Sequence, residues 1–191
     1  MRLFLVRHGQ TVANVEKRYV GPWETPLTEL GKEQARAIAP ILKDIKFQKV
    51  YSSNIGRAIE TARLALDGRE PIQTTYLREF DEGTLMGKTI AERDALYGGD
   101  PVKRWDYSVV GGESADEVCA RLRKFLNELE KDPCENVIAF THNGVLGCML
   151  RLVVDANIEP LGVRSNNCAI HVYEYDGNMW RLLFWNYGGK L

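Results

Sequence analysis

Residues 3–6 form an unbroken apolar run that stops abruptly at Arg7, His8 and Gly9. Short apolar or β-branched runs bounded by polar residues predict buried strands, and segments 49–52, 136–141, 169–175 and 182–185 share that character. Between them the period changes to that of helices. Thr28 is placed to cap a helix that carries Ala35, Ile38, Ala39 and Leu42 on one face, at spacings of three and four. Residues 55–66 read similarly. Ser114 with Glu117 three residues later predicts a capping box, and Val118, Leu122, Phe125, Leu126 and Leu129 follow at helical spacing. A mostly apolar helix is expected over 144–154, directly after the strand that ends at Thr141. Strands alternating with helices predict a three-layer α/β/α sandwich around a mainly parallel sheet.

The chain has 191 residues, no internal repeat and no linker rich in Pro, Gly or Ser, so a single domain spanning 1–191 is expected. Segment 84–112 stands out for weak periodicity. Lys and Arg number 25 against 26 Asp and Glu, a net charge of -1, which argues against a nucleic-acid or membrane-surface binder. Any anion site must therefore be local. Cys119, Cys134, Cys148 and Cys168 are widely separated and lack metal-ligand spacing, which predicts free thiols in a reducing compartment. The apolar runs 3–6 and 145–154 are too short for a signal-peptide core or a membrane span. A soluble cytoplasmic protein is the expectation.

In parallel sheets, ligands gather where strand carboxyl ends meet helix N-termini. The first strand is followed by Arg7-His8-Gly9, the second by Ser52, Ser53 and then Arg57, and the segment ending at Thr141 by His142-Asn143-Gly144. Two arginines and two histidines thus converge on one rim. Guanidinium forks and the N–H groups of Asn143 and Gly144 suit a phosphate dianion. Histidine titrates near neutrality, so His8 can serve as an unprotonated nucleophile while His142 is expected to stay protonated and stabilise charge. The block "LREFDEG" offers Glu79, Asp81 and Glu82 as proton donors for the leaving oxygen.

"VRHGQT", Asn14, "SSNIGRAIETA", "LREFDEG", "GGES" and "THNG", in this order, resemble the histidine phosphatase superfamily with its phosphoglycerate mutase-like fold. The resemblance runs from Leu3 to about Arg151. It implies that His8 becomes phosphorylated, that Arg7, Arg57 and His142 hold the phosphoryl oxygens, and that Glu79 is the proton donor. Asn14 and Thr11 match further phosphate-contacting positions. Gly21, Trp23, Glu82 and Trp105 are expected to line the substrate pocket, and segment 84–112 to overhang it. Trp180, Trp185 and His171 are read as structural.

The resemblance implies hydrolysis of a small phosphate ester, such as α-ribazole phosphate, phosphoserine or a broad set of monoesters, through a phosphohistidine and without metal or cofactor. A cofactor-dependent phosphoglycerate mutase is the alternative. Against it, Glu82 stands where a mutase has tyrosine, and a further carboxylate there should repel phosphoglycerate; only Lys103 and Arg104 resemble the mutase's basic cluster. A non-catalytic phospho-ligand binder is the second alternative. No nucleic-acid or membrane partner is expected, and a homo-oligomer is left open.

Overall fold

The computed structural model describes residues 1–103, 105–154 and 165–188. Their strands are β1 (Arg2–Arg7), β2 (Lys49–Ser53), β3 (Ile72–Thr74), β4 (Asn136–Thr141), β5 (Ile170–Tyr175) and β6 (Trp180–Tyr187). They form one sheet in the order β3-β2-β4-β1-β5-β6. The first four in that order are mutually parallel, whereas β5 runs antiparallel to both β1 and β6. The sheet is therefore mainly parallel, as the alternation of elements predicts.

Side chains of a strand alternate between faces, and the core divides accordingly. Leu3, Leu5, Val137 and Ala139 pack on one face with α6 (Ala115–Lys131) and α7 (Asn143–Val153). Phe4, Val6, Ile138 and Phe140 pack on the other with α2 (Glu29–Ala37), α3 (Ala39–Leu42) and α4 (Gly56–Ala65). Two smaller helices, α1 (Val12–Glu16) and α5 (Ile90–Tyr97), lie at the rim. Among the described residues, no helix is long and apolar enough to cross a membrane.

Most predicted elements appear with small changes of boundary. The helix expected to run from Thr28 through Leu42 is divided at Ile38. Pro40 lacks an N–H and its ring collides with the carbonyl four residues earlier, so α2 ends and α3 restarts. Ile38 and Leu42 are nevertheless buried in the same core. Strand β3 was not foreseen, because three residues at the sheet edge, with Ile72 exposed, present no apolar run. Segment 84–112 contains α5 and a 3-10 turn at Tyr107–Val110. It is tied to the rim by Tyr19 N–H donating to the Lys88 carbonyl (2.8 Å) and Gly87 N–H donating to the Tyr19 carbonyl (2.8 Å).

The register of the central strands sets the site. Arg7 pairs with Thr141, so the residues that follow, His8 and His142, leave the sheet side by side. The loop after β1 then lies against the first turn of α2, at a closeness only glycine permits. A Cβ on Gly31 would fall 2.0 Å from the Gln10 carbonyl oxygen, and one on Gly9 would fall 2.4 Å from that of Gly31. Gly31→Ala is expected to destabilise the protein by about 2 kcal/mol or more, since overpacked backbone cannot yield cheaply. Chemical denaturation should show a lower midpoint with an unchanged slope.

Candidate active site

His8 is buried at the end of β1, and its Nδ1 lies 2.7 Å from the Gly9 carbonyl oxygen. A carbonyl only accepts, so Nδ1 carries the proton and Nε2 keeps the lone pair. Burial, followed by the charges of Arg57 and Arg7, holds the ring's pKa well below the usual histidine value. His8 is therefore neutral at physiological pH, with the protonation state of a nucleophile. Its loop is pinned from α4, where Thr61 Oγ1 accepts the Gly9 N–H (3.1 Å) and donates to the Arg57 carbonyl (2.6 Å).

Arg57, on the first turn of α4, is buried and held by three hydrogen bonds. Nε donates to His142 Nδ1 (3.2 Å), and the two terminal nitrogens donate to the carbonyls of Trp23 (2.8 Å) and Gly21 (2.7 Å). A guanidinium has five N–H groups, which leaves two for a ligand. Arg7 donates to the Ser165 carbonyl, and its Nε is buried with no partner among the described residues. An unmet buried donor is costly, and an oxyanion would satisfy it.

The expectation of a protonated His142 is corrected by its surroundings. Because Nδ1 accepts from Arg57, the proton sits on Nε2, which donates to Ser53 Oγ (2.9 Å). Complete burial, then Arg57, then His8 press its pKa well below the usual value. His142 is a neutral ring that orients Arg57, and the two histidine rings lie 5.2 Å apart, centroid to centroid.

Glu79 accepts the N–H of Phe80 (3.1 Å) at one oxygen and that of Gly144 (3.3 Å) at the other. The Gly144 N–H at the start of α7, expected to face a phosphate, is given to the acid here. The backbone of the acid block is clamped by Arg121, which donates to the carbonyls of Tyr76 (2.8 Å) and Glu79 (3.3 Å) and pairs with Glu113 (3.1 Å). Glu113, from the "GGES" segment, in turn accepts the Asp81 N–H (2.9 Å).

Around these groups is a small polar cavity of about 90 Å³, lined by Arg7, His8, Thr11, Asn14, Arg18, Gly21, Arg57, Glu79 and Glu82 among others. The catalytic and phosphate-binding residues expected from the sequence thus largely converge. His142 stands behind Arg57, and Asn143 opens α7 outside the lining. Thr11 and Asn14 form a reciprocal cap on α1, and Asn14 Oδ1 also accepts from Asn167 (3.3 Å). Trp23 is half exposed and packs toward Gly87, contributing its carbonyl to Arg57.

Trp105, expected in the substrate pocket, is not on the lining. Its indole sits against α7, where a Cβ on Gly147 would fall 1.8 Å from the ring. Asp81, the third candidate acid, faces away from this cavity and caps Gly83 N–H (2.9 Å). Glu82 is on the lining but is not the anion expected of it. Burial first, then the charge of Glu79, raises its pKa to about 8, which favours the protonated form at pH 7 over the anion expected.

The matching family model is that of the histidine phosphatase superfamily, branch 1, over residues 3–188. The chain belongs to the histidine phosphatase superfamily. Its similarity reaches well past Arg151, through the β5–β6 hairpin. A 2,3-bisphosphoglycerate-dependent phosphoglycerate mutase of Gloeobacter violaceus is 33% identical over 160 residues, covering 78% of this chain and 73% of the relative. An adenosylcobalamin/alpha-ribazole phosphatase of Salmonella typhimurium is 34% identical over 158 residues, 78% of each chain. In structure, a mycobacterial glucosyl-3-phosphoglycerate phosphatase complexed with VO3 superposes with a TM-score of 0.88 at 32% identity, covering 97% of this chain and 98% of that one. The chemistry of the superfamily to which the chain belongs is phosphoryl transfer.

The sequence assigns no role to Ser53, Thr61 or Ser165, which act through single hydroxyls or carbonyls and leave no spacing signal. His171 is buried, with Nε2 2.8 Å from Ser165 Oγ, and burial and Arg7 lower its pKa to about 3. It remains structural, as read, but supports the residue whose carbonyl holds Arg7.

Proposed function

We propose that the protein is a metal-independent phosphomonoesterase that hydrolyses a small phosphorylated metabolite through a phosphohistidine on His8. The observation that carries this reading is the neutral His8 ring, its lone pair assigned to Nε2, in a cavity lined by two guanidiniums with donors left over. Nε2 attacks phosphorus as the P–O ester bond breaks, and Glu79 gives its proton to the departing alkoxide. The same carboxylate then takes a proton from water. The water oxygen bonds to phosphorus, the P–N bond breaks with its electron pair returning to Nε2, and inorganic phosphate leaves. Arg7 and Arg57 stabilise the negative charge spread over the equatorial oxygens.

Hydrolysis is favoured over mutase transfer by the distribution of positive charge. A mutase has to hold a carboxylate as well as phosphate, and the lining offers one guanidinium besides Arg7 and Arg57. That guanidinium, Arg18, lies 2.9 Å from Glu16 and 3.7 Å from Glu92 and also donates to the Gly87 carbonyl. Lys103 is exposed, and Arg104 lies outside the described residues. The similarity to an alpha-ribazole phosphatase supports α-ribazole phosphate as a first ester to assay, with phosphoserine beside it.

Phosphate release from such esters should persist in EDTA; loss on chelation, restored by a metal, would refute the scheme. Rapid conversion of 3-phosphoglycerate to its 2-isomer, primed by 2,3-bisphosphoglycerate, would establish the mutase instead. Ligand binding without turnover of any ester would establish a binding protein. Glu79→Gln is expected to lower kcat on alkyl esters by about 10²- to 10⁴-fold. The loss should be much smaller on p-nitrophenyl phosphate, whose leaving group scarcely needs a proton. Equal losses on both would remove Glu79 from the proton-donor role.

A further inference from the structure

Glu82 is a carboxylic acid in an oxyanion pocket, and the mechanism above does not use it. Its Oε2 accepts the Gly21 N–H at 2.7 Å, and Val20 N–H donates to the same carboxyl. The carbonyl of Gly21 is the one that receives Arg57 at 2.7 Å. Glu82 is thus joined to Arg57 through a single residue. Gly21 also has a positive φ of 50°, and a Cβ there would fall 2.7 Å from the Phe80 carbonyl oxygen, so this loop is pressed onto the acid block by backbone as well as side chain.

We propose that Glu82 is a positioning residue that holds the Gly21 carbonyl against Arg57 and, by being neutral or charged, decides whether the cavity accepts a dianionic oxyanion. The proposal rests on the phosphate-binding reading of the same cavity. With Glu82 neutral, it adds no charge to a lining that carries Arg7, Arg18 and Arg57. With Glu82 ionised, a negative charge stands on the lining where the oxyanion would sit, and repels it.

The neighbouring groups leave the change to Glu82. From β1, His8 is already neutral, being held well below its usual range. From the rim and segment 84–112, Tyr19 and Tyr107 are raised by burial and by nearby acids, which include Glu82, and so stay protonated. Arg7, Arg18 and Arg57 stay charged, because a guanidinium does not lose its proton in proteins.

The probe is tungstate, a tetrahedral dianion throughout the experiment, titrated calorimetrically into the intact protein from pH 6.5 to 9.5. Affinity is expected to be flat below pH 7 and to fall by about tenfold or more by pH 9.5, the sign required when binding favours the protonated acid. Glu82→Gln keeps an oxygen for the Gly21 N–H but cannot ionise, and should bind tungstate with no such fall. If that variant does not fold, Glu82→Met, which neither ionises nor accepts the Gly21 N–H, should bind tungstate more weakly at every pH but again without the fall. An equal fall in wild type and variant overturns the assignment to Glu82. Failure of the wild type to bind tungstate at any pH overturns the phosphate-site reading itself and the proposal with it.

Discussion

His8→Ala is expected to lower kcat by about 10⁴-fold or more, because it removes the atom to which phosphorus bonds and leaves the second half-reaction without a substrate. At 1.36 kcal/mol per tenfold, that is roughly 5.5 kcal/mol of transition-state stabilisation. The fold should survive. Among the described residues the imidazole makes one hydrogen bond, to its neighbouring carbonyl, and the strand behind it is held by Leu3, Leu5, Phe4 and Val6. The decisive measurement is a rapid alkaline quench of wild type at steady state, followed by mass spectrometry of the His8 peptide. An acid-labile phosphoryl adduct is expected in wild type and none in the variant. Brisk turnover without the adduct, or full activity in the variant, would refute covalent catalysis at this residue.

Arg57→Lys should be nearly as damaging as Arg57→Ala, with kcat lower by about 10³-fold in each. Lysine keeps a charge but concentrates its donors on one nitrogen, which cannot span the Gly21 and Trp23 carbonyls, His142 Nδ1 and a phosphate oxygen together. Alanine also leaves two carbonyls and a ring nitrogen without their donor, at a stability cost of about 1–3 kcal/mol for each group left buried and unsatisfied. The pH profile separates a catalytic loss from a structural one. Arg57 is one of the influences lowering the pKa of His8, so Arg57→Ala should let that pKa rise and move the acid limb of kcat/KM to higher pH. Arg57→Lys, which keeps the charge, should move it less. A lysine variant with near-normal kcat would show that charge alone suffices.

Much of the site was legible because parallel strands deliver their next residues to one edge. Arg7 and Ser53 end β1 and β2, His8 and His142 directly follow β1 and β4, Arg57 opens α4 just past β2, and the three strands are neighbours in the sheet. The protonation states were not legible. His142 reads as a cation in waiting until its complete burial and its hydrogen bond from Arg57 are seen, and Glu82 reads as an anion until its burial beside Glu79 is seen. Desolvation depends on what packs around a group, and neither motif nor spacing encodes it. The place of Trp105 is not legible for another reason: segment 84–112 has too little period to show that its indole sits on Gly147 of α7.

The amino-acid sequence by itself determined the layered α/β fold, the family, and which two arginines and which histidine meet at the strand ends, because apolar period, caps and the order of short motifs are local properties of the chain. The tertiary structure alone decided which nitrogen of His8 keeps its lone pair, that the Gly144 N–H of α7 meets Glu79, and that Gly21 links Glu82 to Arg57. Each of those depends on residues distant in sequence meeting at hydrogen-bond range in a place from which water is largely excluded.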